Sequence, residues 1–184
     1  MHYSLTVAGL LRKLPICQVK DDLYIAGFSV FGDVEVTEAC AKALLELAPE
    51  YDYLITPEAK SIPLAYEMAR RSGKMRYFIA RKSPKLYMSG IFATEVNSIT
   101  TAHTQRLYLD QSEAEMIRGK NMLLVDDVIS TGQSINALEK LVTMAGGRIA
   151  GRMAVLAEGE AADREDIIFL EKLPLFNADG TIKG

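Results

Sequence analysis

Net positive charge is missing from this sequence, and so are the residues that build metal clusters and disulfide frameworks. Twenty-one Lys and Arg against 24 Asp and Glu leave a net charge of −3. Wrapping nucleic acid or adhering to an anionic membrane calls for the opposite balance, so neither is expected and any phosphate site must be local. Cys17 and Cys40 are the only cysteines; they form no CxxC pair, and with His2 and His103 they make a poor zinc set. They read as free thiols in a reducing cytosol. The apolar run Leu5–Leu11 is shorter than a bilayer span, and Arg12 and Lys13 follow it where a signal peptide carries its charges in front. A soluble, cytoplasmic chain is expected. A Walker loop is excluded because no Gly-Lys-Ser/Thr occurs, and no glycine-rich dinucleotide fingerprint follows a strand.

What is present suits one domain over residues 1–184, since 184 residues with 49% hydrophobic content can bury a sizeable core. From Asp33 to Glu50 the side chains Val36, Cys40, Leu44 and Leu47 recur at helical spacing after an acidic start. Tyr53–Thr56 reads as a strand, Pro57–Ser61 as a loop and Ile62–Arg71 as a helix stopped by Ser72-Gly73. Met75–Ala80, Phe92–Val96 and Gln105–Asp110 are strand-like, and the last two suit a hairpin. Asn121–Val125 fits a central parallel strand, with a loop at Asp126–Gly132, a helix at Gln133–Ala145 and a further strand at Arg148–Leu156. This alternation predicts an α/β fold with a parallel, doubly wound sheet, its core at about 33–156. Residues 1–32 and 157–184, with strand candidates Leu14–Val19, Tyr24–Val30 and Ile167–Leu170, are expected to form a small hood over it.

The informative stretch is Asn121–Leu138, NMLLVDDVISTGQSINAL. A buried strand runs into Asp126 and Asp127, then into the small residues Ser130, Thr131, Gly132, Gln133 and Ser134, which open a helix. Ligands of open α/β sheets bind at the carboxyl ends of strands. The N–H groups of such a loop and the positive end of the helix behind it suit a phosphate, and Gly132 permits close approach. Two adjacent carboxylates suit vicinal ribose hydroxyls, which are hydrogen-bond donors. An isolated acidic pair is more often a turn cap; here the whole string carries the reading. It closely resembles the phosphoribosyl-diphosphate signature of type I phosphoribosyltransferases.

Two further segments resemble that family in the right order. PEAKSIPLA, Pro57–Ala65, is similar to the pyrophosphate-binding loop of the purine enzymes. The resemblance implies that Glu58, Ala59, Lys60 and Ser61 form this loop, with a non-proline cis peptide and with Lys60 adding charge. ARKSPK, Ala80–Lys85, resembles the start of the mobile catalytic loop, so that Arg81 and Lys82 would steady the departing diphosphate. Alone, Lys60, Arg81 and Lys82 read as exposed surface cations.

The family resemblance further implies Mg²⁺ carried by the substrate rather than by a protein cage, phosphoribosyl diphosphate and a purine base as substrates, purine salvage as the role, and a homodimer. Ser130 stands where the hypoxanthine and guanine enzymes typically carry an acid. EAKSIPLA with ARKSPK looks most like the adenine group, then like xanthine phosphoribosyltransferases and a related purine repressor. The Leu-Glu-Tyr-Gly segment of the adenine enzymes is absent; Ser98–His103 stands there, with Glu95 the nearest acid. The base is placed against Ala26, Gly27 and Phe28, where strand alternation would set Phe28 on the face of Tyr24, and near Glu158, just beyond the strand Arg148–Leu156. Core packing explains Phe28 as well. Rival readings are another nucleobase, a non-catalytic phosphoribosyl-diphosphate sensor, disfavoured because the chain is acidic and begins almost directly with the core, and a phosphate-binding structural subunit, which nothing in the sequence favours.

Overall fold

The computed structural model describes residues 1–96 and 105–183. The chain opens with β1 (His2–Val7), β2 (Leu10–Lys20) and β3 (Leu23–Ala26). Next come α1 (Val34–Leu47), β4 (Tyr53–Pro57), α2 (Ile62–Arg71) and β5 (Tyr77–Ala80). The antiparallel pair β6 (Ile91–Val96) and β7 (Gln105–Asp110) leads into α3 (Gln111–Ile117). β8 (Asn121–Ile129), α4 (Gln133–Met144) and β9 (Arg148–Glu158) follow, then a 3₁₀ turn at Gly159–Asp163, β10 (Ile168–Leu173) and β11 (Leu175–Phe176).

Five strands form the core sheet in the order β10-β9-β8-β4-β5, and every neighbouring pair is parallel. A strand covered on both faces must be apolar without alternation, and Met122, Leu123, Leu124 and Val125 at the centre of β8 are fully buried. On one face α1 and α2 deliver Val36, Cys40, Leu44, Leu64 and Met68 into a cluster with Leu123 and Val125. On the other face α4 buries Ile135, Leu138, Leu141 and Val142 against Met122 and Leu124. Each such side chain contributes about 1.5–3 kcal/mol by leaving water. α1 starts where Asp33 accepts a hydrogen bond from the Val36 amide at 3.1 Å. Glu67 is buried on α2 because Arg70 donates to both its oxygens at 2.8 and 2.7 Å.

What positions the site is the divergence of β4 and β8. From β4 the chain passes through α2 to β5 on one side; from β8 it passes through α4 to β9 on the other, so the sheet switches direction between them. Their pairing ends at Ile55 and Leu124, while the ladder between β8 and β9 continues to Ile129 and Ala157. Beyond Leu124 one edge of β8 therefore faces a crevice, at the carboxyl ends of the strands, where doubly wound sheets bind ligands.

Both ends of the chain contribute to a second, antiparallel sheet, β1-β2-β3-β11. Leu5, Val7, Leu14 and Phe176 join the cluster beneath α1, and Arg12 ties β2 to the start of α1 through Asp33 at 2.7 Å. Several sequence expectations are corrected. The segment at Ile167–Leu170 belongs to β10, in the core sheet beside β9, because its apolar side chains complete the core edge rather than a hood. β8 runs on through Asp126 and Asp127 to Ile129, because β9 keeps pairing with it. β9 reaches Glu158. β3 ends at Ala26, so strand alternation does not relate Phe28 to Tyr24. β1 and α3 were not foreseen. Among the described residues no helix is long and apolar enough to cross a membrane.

Candidate active site

Asp126 and Asp127 lie in the last turn of the crevice-facing stretch of β8 and are buried, at 7% and 5% exposure. The Ser61 hydroxyl donates to Asp126 Oδ1 at 2.9 Å, and the Asp127 amide donates to the same oxygen at 2.9 Å. Asp127 Oδ1 accepts from the Val128 amide at 3.0 Å, whereas Asp127 Oδ2 is buried with no partner among the described residues. A buried acceptor left without a donor costs about 1–3 kcal/mol. Burial raises the Asp126 carboxyl above the usual range and the charge of Asp127 raises it further, while the Ser61 bond pulls it back. Burial raises Asp127 too, opposed by the charge of Lys60.

The strand gives way to Ser130 and Thr131, and Gly132 takes φ 77°, a left-handed conformation, as the residue before α4. Gly132 gives this helix no side-chain cap. A helix start, with the positive end of its dipole, suits an anion. Residues 130–135 with Asp126 and Val128 enclose a small cavity of about 40 Å³.

Across the crevice β4 runs into the second loop, where the peptide bond between Glu58 and Ala59 is cis. Residues 57–61, Lys82, Asp126, Asp127 and Ser134 line a cavity of about 200 Å³. Ser134, Asp126 and Val128 border both cavities, so the two predicted anion loops meet at the acidic pair. The Ser61 side chain is spent on Asp126, and the Glu58 amide on the Ala80 carbonyl at 2.9 Å. The Glu58 carboxylate turns to the opposite strand end: it accepts from the Lys82 amide at 2.9 Å and lies 3.5 Å from Lys85 Nζ and 3.9 Å from Arg81 Nη1. The Lys82 amide, with those charges, holds Glu58 below the ordinary carboxylate range. Arg81 exchanges backbone hydrogen bonds with Tyr108 at 2.8 and 2.9 Å, which fixes the point where the segment after it departs.

Residues 34–177 match the family described as the phosphoribosyl transferase domain. The chain belongs to this family. Its relatives include proteins named as phosphoribosyltransferases. An adenine phosphoribosyltransferase from Rhodococcus jostii is 31% identical over 150 residues, covering 79% of this chain and 78% of the relative. An orotate phosphoribosyltransferase from Methanopyrus kandleri is 27% identical over 144 residues, covering 78% and 67%. The solved structure of an adenine phosphoribosyltransferase from Thermoanaerobacter pseudethanolicus superposes with a TM-score of 0.70 at 22% identity, over 86% of this chain and 95% of that one, which shows a shared fold.

In this phosphoribosyltransferase domain the residues predicted to face a base are less convergent. Ala26, Gly27, Phe28 and Glu158 line neither cavity of the acidic pair. Phe28 is buried in the core cluster at 6% exposure. Gly27 is exposed, its amide bound to the Pro15 carbonyl at 2.8 Å. Leu175 pairs with Ile25, and a Cβ on Gly159 would lie 3.0 Å from Leu175 Cδ1, so β11 lies between β3 and the turn that follows Glu158. Burial raises the Glu158 carboxyl, opposed by the charge of Lys60. Ser98–His103 lies outside the described residues. The sequence pointed to neither the Ser61–Asp126 bond nor the approach of Arg164 to Gly132. Both join residues far apart in the chain, and only the fold brings them together.

Proposed function

We propose that the chain transfers the 5-phosphoribosyl group from phosphoribosyl diphosphate to a purine base, adenine foremost, with release of pyrophosphate. The observation that carries this reading is the meeting of two loops, 57–61 and 130–134, at an acidic pair whose Asp127 Oδ2 has no donor among the described residues. The loop before α4 suits the 5-phosphate, the loop after β4 the diphosphate, and the carboxylates between them the ribose hydroxyls. The bond from C1 of the ribose to the diphosphate oxygen breaks and its electron pair leaves with pyrophosphate. A nitrogen of the base then forms the new bond to C1, and the proton of the base N–H is released to pyrophosphate or to water. In this reading Lys60 and Lys82, which line the cavity, and Arg81 beside them would steady charge on the leaving oxygens. The protein otherwise positions the reactants and excludes water.

Among the described residues no group of three or more His, Cys, Asp or Glu could cage a metal. Mg²⁺ binds largely through substrate phosphates, so it would arrive on the diphosphate and ribose hydroxyls, with Asp126 and Asp127 holding those hydroxyls. When bound, Mg²⁺ neutralises charge on the diphosphate. A cytoplasmic homodimer is part of the same proposal, closed two-fold symmetry being the commonest arrangement for soluble assemblies.

Orotate is the second reading, carried by the Methanopyrus relative. The 31% identity to an adenine phosphoribosyltransferase over 79% of this chain keeps adenine first. The test is incubation with phosphoribosyl diphosphate, Mg²⁺ and adenine, hypoxanthine, guanine, xanthine or orotate, following pyrophosphate and nucleotide together. Adenine should be consumed fastest, with one pyrophosphate per nucleotide. Turnover of orotate alone would replace the base, and binding of phosphoribosyl diphosphate without turnover of any base would make the chain a sensor.

A further inference from the structure

We propose that Arg164 is a positioning residue for the 5-phosphate end of the substrate, holding the loop before α4 in shape and supplying the positive charge that this loop's own side chains lack. The inference rests on the reading that residues 130–134 receive that phosphate. Ser130, Thr131, Gly132, Gln133 and Ser134 carry no charged group. Arg164 comes just after the 3₁₀ turn, far along the chain, and three observations bring it to the loop.

The first is orientation. Arg164 Nε and Nη2 donate to Asp166 Oδ1 and Oδ2 at 2.9 and 2.8 Å, a two-pronged contact that fixes the plane of the guanidinium. The second is anchorage. Asp166 lies 3.8 Å from Arg152 Nε on β9, and Arg152 in turn donates to Glu139 on α4 at 2.9 and 2.6 Å. Arg164 is thus linked, through acids and bases in alternation, to the same helix whose first turn forms the loop. The third is approach. A Cβ built on Gly132 would lie 2.5 Å from Arg164 Nη1. That nitrogen, which has no hydrogen-bond partner among the described residues, therefore occupies the room where any other residue would put its side chain. Gly132 and Arg164 are one unit: the glycine admits the guanidinium, and the guanidinium packs the glycine in its left-handed conformation.

A cation beside a helix N-terminus is opposed by the helix dipole, and Asp166 offsets the charge of Arg164 from the side away from Nη1. An anion bound to the first amides of α4 reverses the sign of that interaction. A purely structural Arg164–Asp166 pair is partly exposed, at 30% and 47%, and such pairs contribute little to stability.

Calorimetry on the full chain, with ribose 5-phosphate and pyrophosphate titrated separately, tests this. Arg164→Gln should weaken ribose 5-phosphate about tenfold, the order of one charge-assisted contact to a phosphate, and leave pyrophosphate unchanged. Arg164→Lys should recover part of the loss. Asp166→Asn, which keeps the cation and loosens its hold, should give a smaller loss in the same direction and serves if Arg164→Gln does not fold. Unchanged ribose 5-phosphate binding in these variants, or equal loss of both ligands, overturns the role of Arg164 alone. A wild-type protein that binds neither ligand overturns the phosphoribosyltransferase reading, and this inference with it.

Discussion

Ser61 donates its hydroxyl to Asp126 Oδ1 at 2.9 Å, across 65 residues of chain and from one loop of the crevice to the other. Ser61 is the residue before α2, yet its side chain makes no cap bond to that helix. Its hydrogen bond goes instead to the acidic pair, so the loop after β4 and the strand end of β8 are set relative to each other by one contact. Ser61→Ala should leave Asp126 without that donor, a loss of about 1–3 kcal/mol for a buried charged acceptor. We expect weaker phosphoribosyl-diphosphate binding by about tenfold or more and a further rise of the Asp126 carboxyl, read as a shift of the pH profile of binding to higher pH. An unchanged profile would separate Ser61 from the site.

The acidic pair should weaken the free protein. Because burial and mutual repulsion raise the folded-state value of Asp126, the folded state binds a proton more readily than the unfolded chain. The stability this gives is fully present below the unfolded value, near 3.8, and is lost as the pH rises through the folded one. Asp126→Asn removes the charge while Oδ1 can still accept from Ser61. Urea denaturation at pH 7 should show the variant more stable by about 1 kcal/mol or more, and the gap should close as the pH falls toward about 4. A less stable variant at pH 7 would show that the carboxylate's hydrogen bonds outweigh its burial.

How far the sequence led follows from where each residue's partners lie. The string Asn121–Leu138 was legible because a buried strand, an acidic pair and a helix start are neighbours in the chain. Its boundary was not: two acids read as loop, but the β9 ladder carries β8 past them to Ile129. β10 pairs with β9 rather than joining the hood, and a short apolar run reads the same in either place. α3 could have been found, since Asp110 and Glu113 stand at the spacing of a capping box and form one. Ser61–Asp126 and Gly132–Arg164 could not, since no local pattern encodes a contact between distant segments.

The segment after Arg81 should behave as a lid. Leu86 and Tyr87 are exposed at 108% and 72%, while the ends are tied by the Arg81–Tyr108 backbone bonds and by the Ser89 amide donating to Asp110 Oδ2 at 2.7 Å. Amides of residues 82–88 should exchange quickly in the free protein and slow when Mg²⁺ and phosphoribosyl diphosphate are added. Identical exchange with and without ligand would make the segment a static loop.

Gly132 should tolerate no side chain. Its φ of 77° and the 2.5 Å approach of Arg164 Nη1 to a built Cβ act together, so Gly132→Ala should cost about 1 kcal/mol or more in stability. Its effect on affinity should fall on ribose 5-phosphate rather than on pyrophosphate. Thermal unfolding with separate titrations of the two ligands checks both parts, and an undisturbed variant would show that the loop is not shaped by this contact.

Calorimetric titration of phosphoribosyl diphosphate with Mg²⁺ into the Asp126→Asn/Asp127→Asn double variant, beside the wild type, tests the acidic pair most directly. The variant keeps the shape of both side chains and removes the charges that are matched to ribose hydroxyls, so circular dichroism should be unchanged and affinity should fall more than about tenfold, or about 1.4 kcal/mol. A folded double variant that binds as tightly as the wild type would contradict the assignment of Asp126 and Asp127 to the ribose.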